Sequence, residues 1–175
     1  MEYYSFSVDE SSDGEHHYTF LSKDCVYTVV FNPSQYIKYI ETFPALLDFG
    51  IGLSFFQFRH DETSKKRKDP KVGNTICKIL IQYLESQEVD SILLYHCDHT
   101  DGKQKGRSKL FSGWHEAFDK DNAIVKHEVC VVEEGKAGEI KEYFIGYLAL
   151  SNNPRLKDAS LEFDKFSATL IDENK

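Results

Sequence analysis

The chain has 175 residues, 41% hydrophobic and 29% charged, with a formal net charge of -8 at pH 7; this is enough for one sizeable core, so a single domain over 1–175 is expected. The acidic balance and a pI near 5.4 argue against a general nucleic-acid binder, and no run approaches the roughly 20 apolar residues of a membrane span. The opening "MEYYSFSVDESSDGE" has neither the basic nor the apolar region of a secretory signal, and four cysteines, Cys25, Cys77, Cys97 and Cys130, stand singly with no C-x-x-C pair, so reduced thiols in the cytoplasm are expected rather than a zinc ribbon or a disulfide framework.

In chain order, Tyr4, Phe6 and Val8 share one parity, and the runs 16–21 and 25–31, broken by Ser22, Lys23 and Asp24, read as an antiparallel hairpin. A short helix from Gln35 to Thr42 follows "NPS", and a loop through Pro44 leads to "IGLSFFQFRH". There Leu53, Phe55 and Gln57 alternate with Phe56 and Phe58, apolar on both faces as in a central strand. The clearest helix starts with Asp69 as N-cap and Pro70 at the first position, carries Val72, Ile76, Ile79, Leu80, Tyr83 and Leu84 at helical spacing, and ends near Gln87. Next come a buried strand over 89–97 and a helix from about Asp101 with Leu110, Phe111, Trp114 and Phe118 on one face. Two alternating runs, 123–133 and 139–150, are joined by "EEGKAG", a hairpin signal. An amphipathic helix from 154 to about 170, with Leu156, Leu161, Phe163 and Phe166, closes the chain.

This order predicts an α+β fold, a mainly antiparallel sheet with one parallel strand-helix-strand crossover over 53–97. Parallel strands end on one edge of a sheet, so Arg59 and His60 should lie where Cys97 and Asp98 emerge, and ligands tend to gather outside such ends.

Three clusters bear on that edge. In "HCDHTD" a metal would need several of His96, Cys97, Asp98, His99 and Asp101 to converge, whereas alternate residues of an extended segment face opposite ways; the other reading has Asp98 or Asp101 capping the next helix. Lys103 and Arg107, four apart on one helix face with Asp101 at the helix start, could meet an anion, or could pair with local carboxylates on a solvated face. "KKRKDPKVGNT" sets a basic run before a helix start, where phosphates bind; as the cap, Asp69 would fill those donors with its own carboxylate. Trp114, with Phe111 and Phe118, reads as core. His16, His17, His115 and His127 show no partner spacing.

Tyr95, Cys97, Asp98, Asp101, Gly102, Lys103, Arg107, Leu110, Phe111 and Trp114, in "LLYHCDHTDGKQKGRSKLFSGW", resemble a family of short bacterial proteins of unknown function. Its pattern is Tyr-x-Cys-Asp-x-x-Asp-Gly-Lys, then an arginine and Leu-Phe-x-x-Trp. "DPKVGNTI" and "EYFIGYLALSNNP" are similar to that family too, extending the resemblance over about 50–165. His96 and His99 fall at variable positions of the pattern. The element order also resembles the acyl-CoA N-acetyltransferase fold, which would imply coenzyme A as ligand. That family's Gln/Arg-x-x-Gly-x-Gly/Ala motif is absent around Gly73, and its tyrosine acid would fall near Phe111, which has no proton to give; fold does not imply function.

Two classes stay open. One is an enzyme or binder of an anionic, phosphorylated or carboxylated small molecule at the edge lined by Arg59, Asp98, Asp101, Lys103 and Arg107. The other is a non-catalytic module with a protein partner, in which these residues only pin helix to strand.

Overall fold

The computed structural model describes residues 2–23, 25–59, 69–97, 102–118, 123–134 and 138–172. Seven strands form one sheet, β1 (Phe6–Glu10), β2 (His16–Leu21), β3 (Cys25–Asn32), β4 (Gly50–Arg59), β5 (Ile92–Cys97), β6 (Ile124–Glu134) and β7 (Ile140–Leu150). Their order in the sheet is β1-β2-β3-β4-β5-β7-β6. Among the described residues five helices accompany them: α1 (Ile37–Ile40), α2 (Pro44–Phe49), α3 (Pro70–Ser86), α4 (Gln104–Phe118) and α5 (Leu156–Asp172). Every strand pair is antiparallel except β4 and β5. The α+β layout with one parallel crossover is therefore as the hydrophobic pattern predicts.

The sheet carries apolar residues on both faces. One face holds Val29, Phe31, Leu53, Leu93 and Tyr95 under Ile76, Ile79 and Tyr83 of α3, with Phe31 and Tyr83 stacked at a centroid distance of 3.6 Å. The other holds Ile92, Leu94, Ile145 and Tyr147 against α2 and Phe163 of α5. Helix α3 begins as its sequence dictates: Asp69 accepts from the Lys71 N–H at 3.0 Å, and Pro70 stands at the first position, where a missing donor costs nothing. Gly73 lies inside the helix because α4 crosses there; an added Cβ would come within 2.5 Å of the Trp114 indole.

Four expectations need correction. The segment through Pro44 is a helix, α2, not a loop. The last strand before α4 begins at Ile92, not at 89. Phe56 and Phe58 are 50% and 64% exposed, so β4 is not buried on both faces along its whole length. Leu110 and Leu161 are 48% and 56% exposed and lie off the packed faces of their helices. No helix among the described residues is long and apolar enough to cross a membrane.

Candidate functional site

The sheet parts at its parallel pair. β4 and β5 are paired only from Gly50 opposite Ile92 to Leu53 opposite Tyr95. Beyond that point β4 continues with β3, as far as Arg59 opposite Cys25, while β5 continues with β7, as far as Cys97 opposite Phe144. The two carboxyl ends thus follow different neighbours and leave an opening between residues 54–59 and 96–97.

Helix α4 covers one face of this opening. Its Phe111 packs on Phe55 of β4 and Tyr95 of β5, at centroid distances of 4.8 and 5.8 Å. A cavity of about 40 Å³ remains between α3, α4 and the sheet, lined by Leu53, Phe55, Leu80, Tyr95, Phe111 and Lys126 among others. On the other face Gln35 lies over Gly52, where a Cβ would stand 2.4 Å from its Oε1. Its Nε2 donates to Ser54 Oγ at 2.9 Å and to the Tyr36 hydroxyl at 3.3 Å. Burial first, and Cys97 second, push the Tyr36 hydroxyl up to about 12, so the phenol lies within electrostatic reach of the end of β5.

A polar network adjoins the opening under α4. Tyr95, Gly146 and Glu128 stand opposite one another across β5, β7 and β6. Gly146 makes the crossing possible, since a Cβ there would meet the Tyr95 ring at 2.4 Å. The Tyr95 hydroxyl donates to Glu128 Oε2 at 2.9 Å, and Ser108 of α4 donates to Glu128 Oε1 at 2.6 Å. Lys126 Nζ lies 3.3 Å from the same oxygen and donates to Ser112 at 3.0 Å. Burial, then the adjacent carboxylate, holds the Tyr95 hydroxyl protonated far above the usual phenol range. Cys97 is 1% exposed; burial first, and Glu128 next, push its thiol up to about 11 against the opposing effect of Arg107 and Lys126. A thiol so placed is a poor nucleophile at neutral pH.

Of the residues singled out from sequence, the structure brings Arg107 into the field of Cys97; Lys103 immediately precedes α4 and Arg107 lies in its first turn, where the Arg107 N–H donates to the Lys103 carbonyl at 3.0 Å. Arg59 ends β4; its side chain lies outside what the structure describes, as do Asp98, Asp101 and most of "HCDHTD", His60 and the "KKRK" run. His96 is exposed while Cys97 is buried, the alternation expected of an extended end. Among the described residues no group of three or more His, Cys, Asp and Glu could hold a metal ion. The Gln104 side-chain oxygen, at the start of α4, is buried with no hydrogen-bond partner among the described residues.

The sequence reading missed Tyr36, Lys126 and Glu128. Lys126 and Glu128 share one parity with the buried Ile124, so they point to a covered face, a signal already present in "IVKHE". Histidines without partner spacing also found partners: His127 Nε2 lies 3.1 Å from Asp164 Oδ1, and His115 Nε2 lies 2.9 Å from the Ile124 carbonyl.

Tyr95, Trp114, Gly73 and Gly146 pack where the helices cover the sheet, and a family pattern covering them, residues 68–165, matches the chain over more than half its length. The chain belongs to DUF6169, a family of unknown function. In this DUF6169 member the matched region runs from the start of α3 into α5 and so contains β5, α4, β6 and β7 entire. No curated protein matches the chain. No solved structure matches it either.

Proposed function

We propose that the protein binds a small anionic ligand, phosphorylated or carboxylated, in the opening between the carboxyl ends of β4 and β5. The observation that supports this reading is the parting of the one parallel pair among the described residues after Leu53 and Tyr95, because ligands of sheets with parallel segments collect at such ends. The groups assigned to the ligand are Arg59, Asp98, Asp101, Lys103 and Arg107, with the basic members meeting its charge. A local cluster of this kind outweighs the net charge of -8, since fields of distant charges are screened beyond about 8 Å at physiological salt.

The resemblance to acyl-CoA N-acetyltransferases makes a coenzyme A thioester the first ligand to try. Asp69 already occupies the N-terminus of α3, so phosphate recognition in this reading falls to the start of α4 rather than to α3. A thermal-shift screen of coenzyme A, nucleotides and simple carboxylic acids tests it. A ligand at 100 times its dissociation constant should stabilise the fold by about 2.7 kcal/mol, and Arg107→Ala should abolish that shift while leaving a folded protein. A shift that survives Arg107→Ala would place the site elsewhere.

A second reading is a non-catalytic protein-interaction module. It is favoured by the mutual engagement of Tyr95, Ser108, Ser112, Lys126 and Glu128, which pins α4 to the sheet. No thermal shift with any anion would favour it over the first.

A further inference from the structure

The last strand in the sheet order is β6, and among the described residues no strand pairs with its outer side. It is a long edge, Ile124–Glu134, without proline. Natural edges of this kind are usually shortened, charged or covered, because unpaired N–H and C=O groups recruit another strand. The opposite edge, β1, has five residues and includes Asp9 and Glu10. β6 instead runs Val129-Cys130-Val131-Val132 through its middle, with Cys130 exposed and Val132 47% exposed. The exposed Ile140 of β7 lies beside its far end, opposite Glu134.

We propose that β6 pairs antiparallel with β6 of a second copy of this chain about a two-fold axis at Cys130, joining two sheets into one. The charges along the strand select this register. Pairing two identical strands about an axis normal to the sheet keeps each residue opposite one of the same face, so the axis must pass through a residue. An axis at Cys130 sets Lys126 opposite Glu134 and His127 opposite Glu133, and Val129 opposite Val131, with no like charges facing. An axis at Glu128 sets that carboxylate against its own copy. One at Val131 sets Glu128 against Glu134. One at Val129 sets Lys126 against Val132 and forms no charge pair, and one at His127 sets Lys126 opposite Glu128 but pairs only residues 124–130 and leaves the exposed Val132 uncovered. Opposite charges across strands stabilise a pair and like charges oppose it, so the partner that fits is the chain itself in one register.

Cys130 makes the register measurable. Residues directly opposite on antiparallel strands have Cα atoms about 4.5–5.5 Å apart, within disulfide reach, and the other cysteines, Cys25, Cys77 and Cys97, are buried. The full chain at a concentration near 100 μM is sized by sedimentation velocity, and a mild oxidant or a short bis-maleimide is then added. The expected result is a dimer mass and a covalent dimer on a denaturing gel that disappears with Cys130→Ser. Moving the thiol in a Cys130→Ser, Val132→Cys chain should leave the mass dimeric but yield no covalent dimer. Cys130→Lys, which faces one ammonium with another, should raise the dissociation constant by roughly tenfold with an unchanged circular dichroism spectrum. A monomer mass overturns the proposal, as does a dimer indifferent to Cys130→Lys or one that cross-links through position 132.

Discussion

Tyr95 reaches Glu128 only because the residue between them has no side chain. Gly146→Ala would bring a methyl group to 2.4 Å from the Tyr95 hydroxyl end and 2.6 Å from the His127 carbonyl, and backbone cannot give way as a flexible side chain does. Overpacking of this kind costs about 1–3 kcal/mol, which a urea unfolding midpoint would register. Removing the acceptor is worse: Glu128→Gln leaves the Lys126 ammonium, whose side chain is 11% exposed, without its carboxylate, and breaking a buried pair costs about 3–5 kcal/mol. The double change Glu128→Gln, Lys126→Met should recover much of that loss. If the double variant is less stable than the single one, the pair is not what the network is built around. Cys97 gives the network a pH signature. Its thiol is raised from 9.0 to about 11 in the folded state, so folding favours the protonated form. The contribution is complete below pH 9 and is lost as pH rises towards 11. Stability should therefore fall across that window, and Cys97→Ala should make the fall shallower, Tyr95 sharing the same direction of shift.

At the scale of elements, the helices with complete local signals were legible and the one capped from a distance was not. Helix α3 carries its cap, its proline and its apolar stripe in consecutive residues, so Asp69, Pro70 and the end near Gln87 follow from the sequence. Helix α2 has only Pro44. Its first N–H groups, on Ala45 and Leu46, donate to Glu162 of α5 at 2.7 and 3.2 Å across more than a hundred residues. A six-residue helix does not stand by its own propensity, and a cap that arrives with tertiary structure leaves no mark on the neighbouring sequence. Glu162→Ala should cost about 0.5–2 kcal/mol, as a lost cap does, and amide exchange at Ala45 and Leu46 should accelerate while that of α3 is unchanged. Equal protection in the variant would mean that α2 is held by packing alone. Leu110 and Leu161 show the opposite limit: the helical period is right, but which neighbours cover which stripe is decided by the sheet.

For the whole molecule, the two hairpins, the parallel crossover and the α+β class were legible because each rests on alternation, turn residues and connection length. The insertion of β7 between β5 and β6 was not, since either strand of the last hairpin satisfies the same alternation and only tertiary pairing chooses. The candidate site divides the same way. The parallel pair at whose ends the site is proposed followed from topology, whereas Tyr36, Lys126 and Glu128 enter through contacts that join α1, α4 and β6. A ligand seated at this edge would perturb the groups around it before any others. The most direct measurement is a backbone amide NMR titration of the protein with coenzyme A. The largest shift changes are expected at 54–58, 96–97 and 103–107, at the parting of β4 and β5 and the start of α4. Changes centred on the start of α3 at 69–72, or spread over the outer face of the sheet with those residues unmoved, would contradict it.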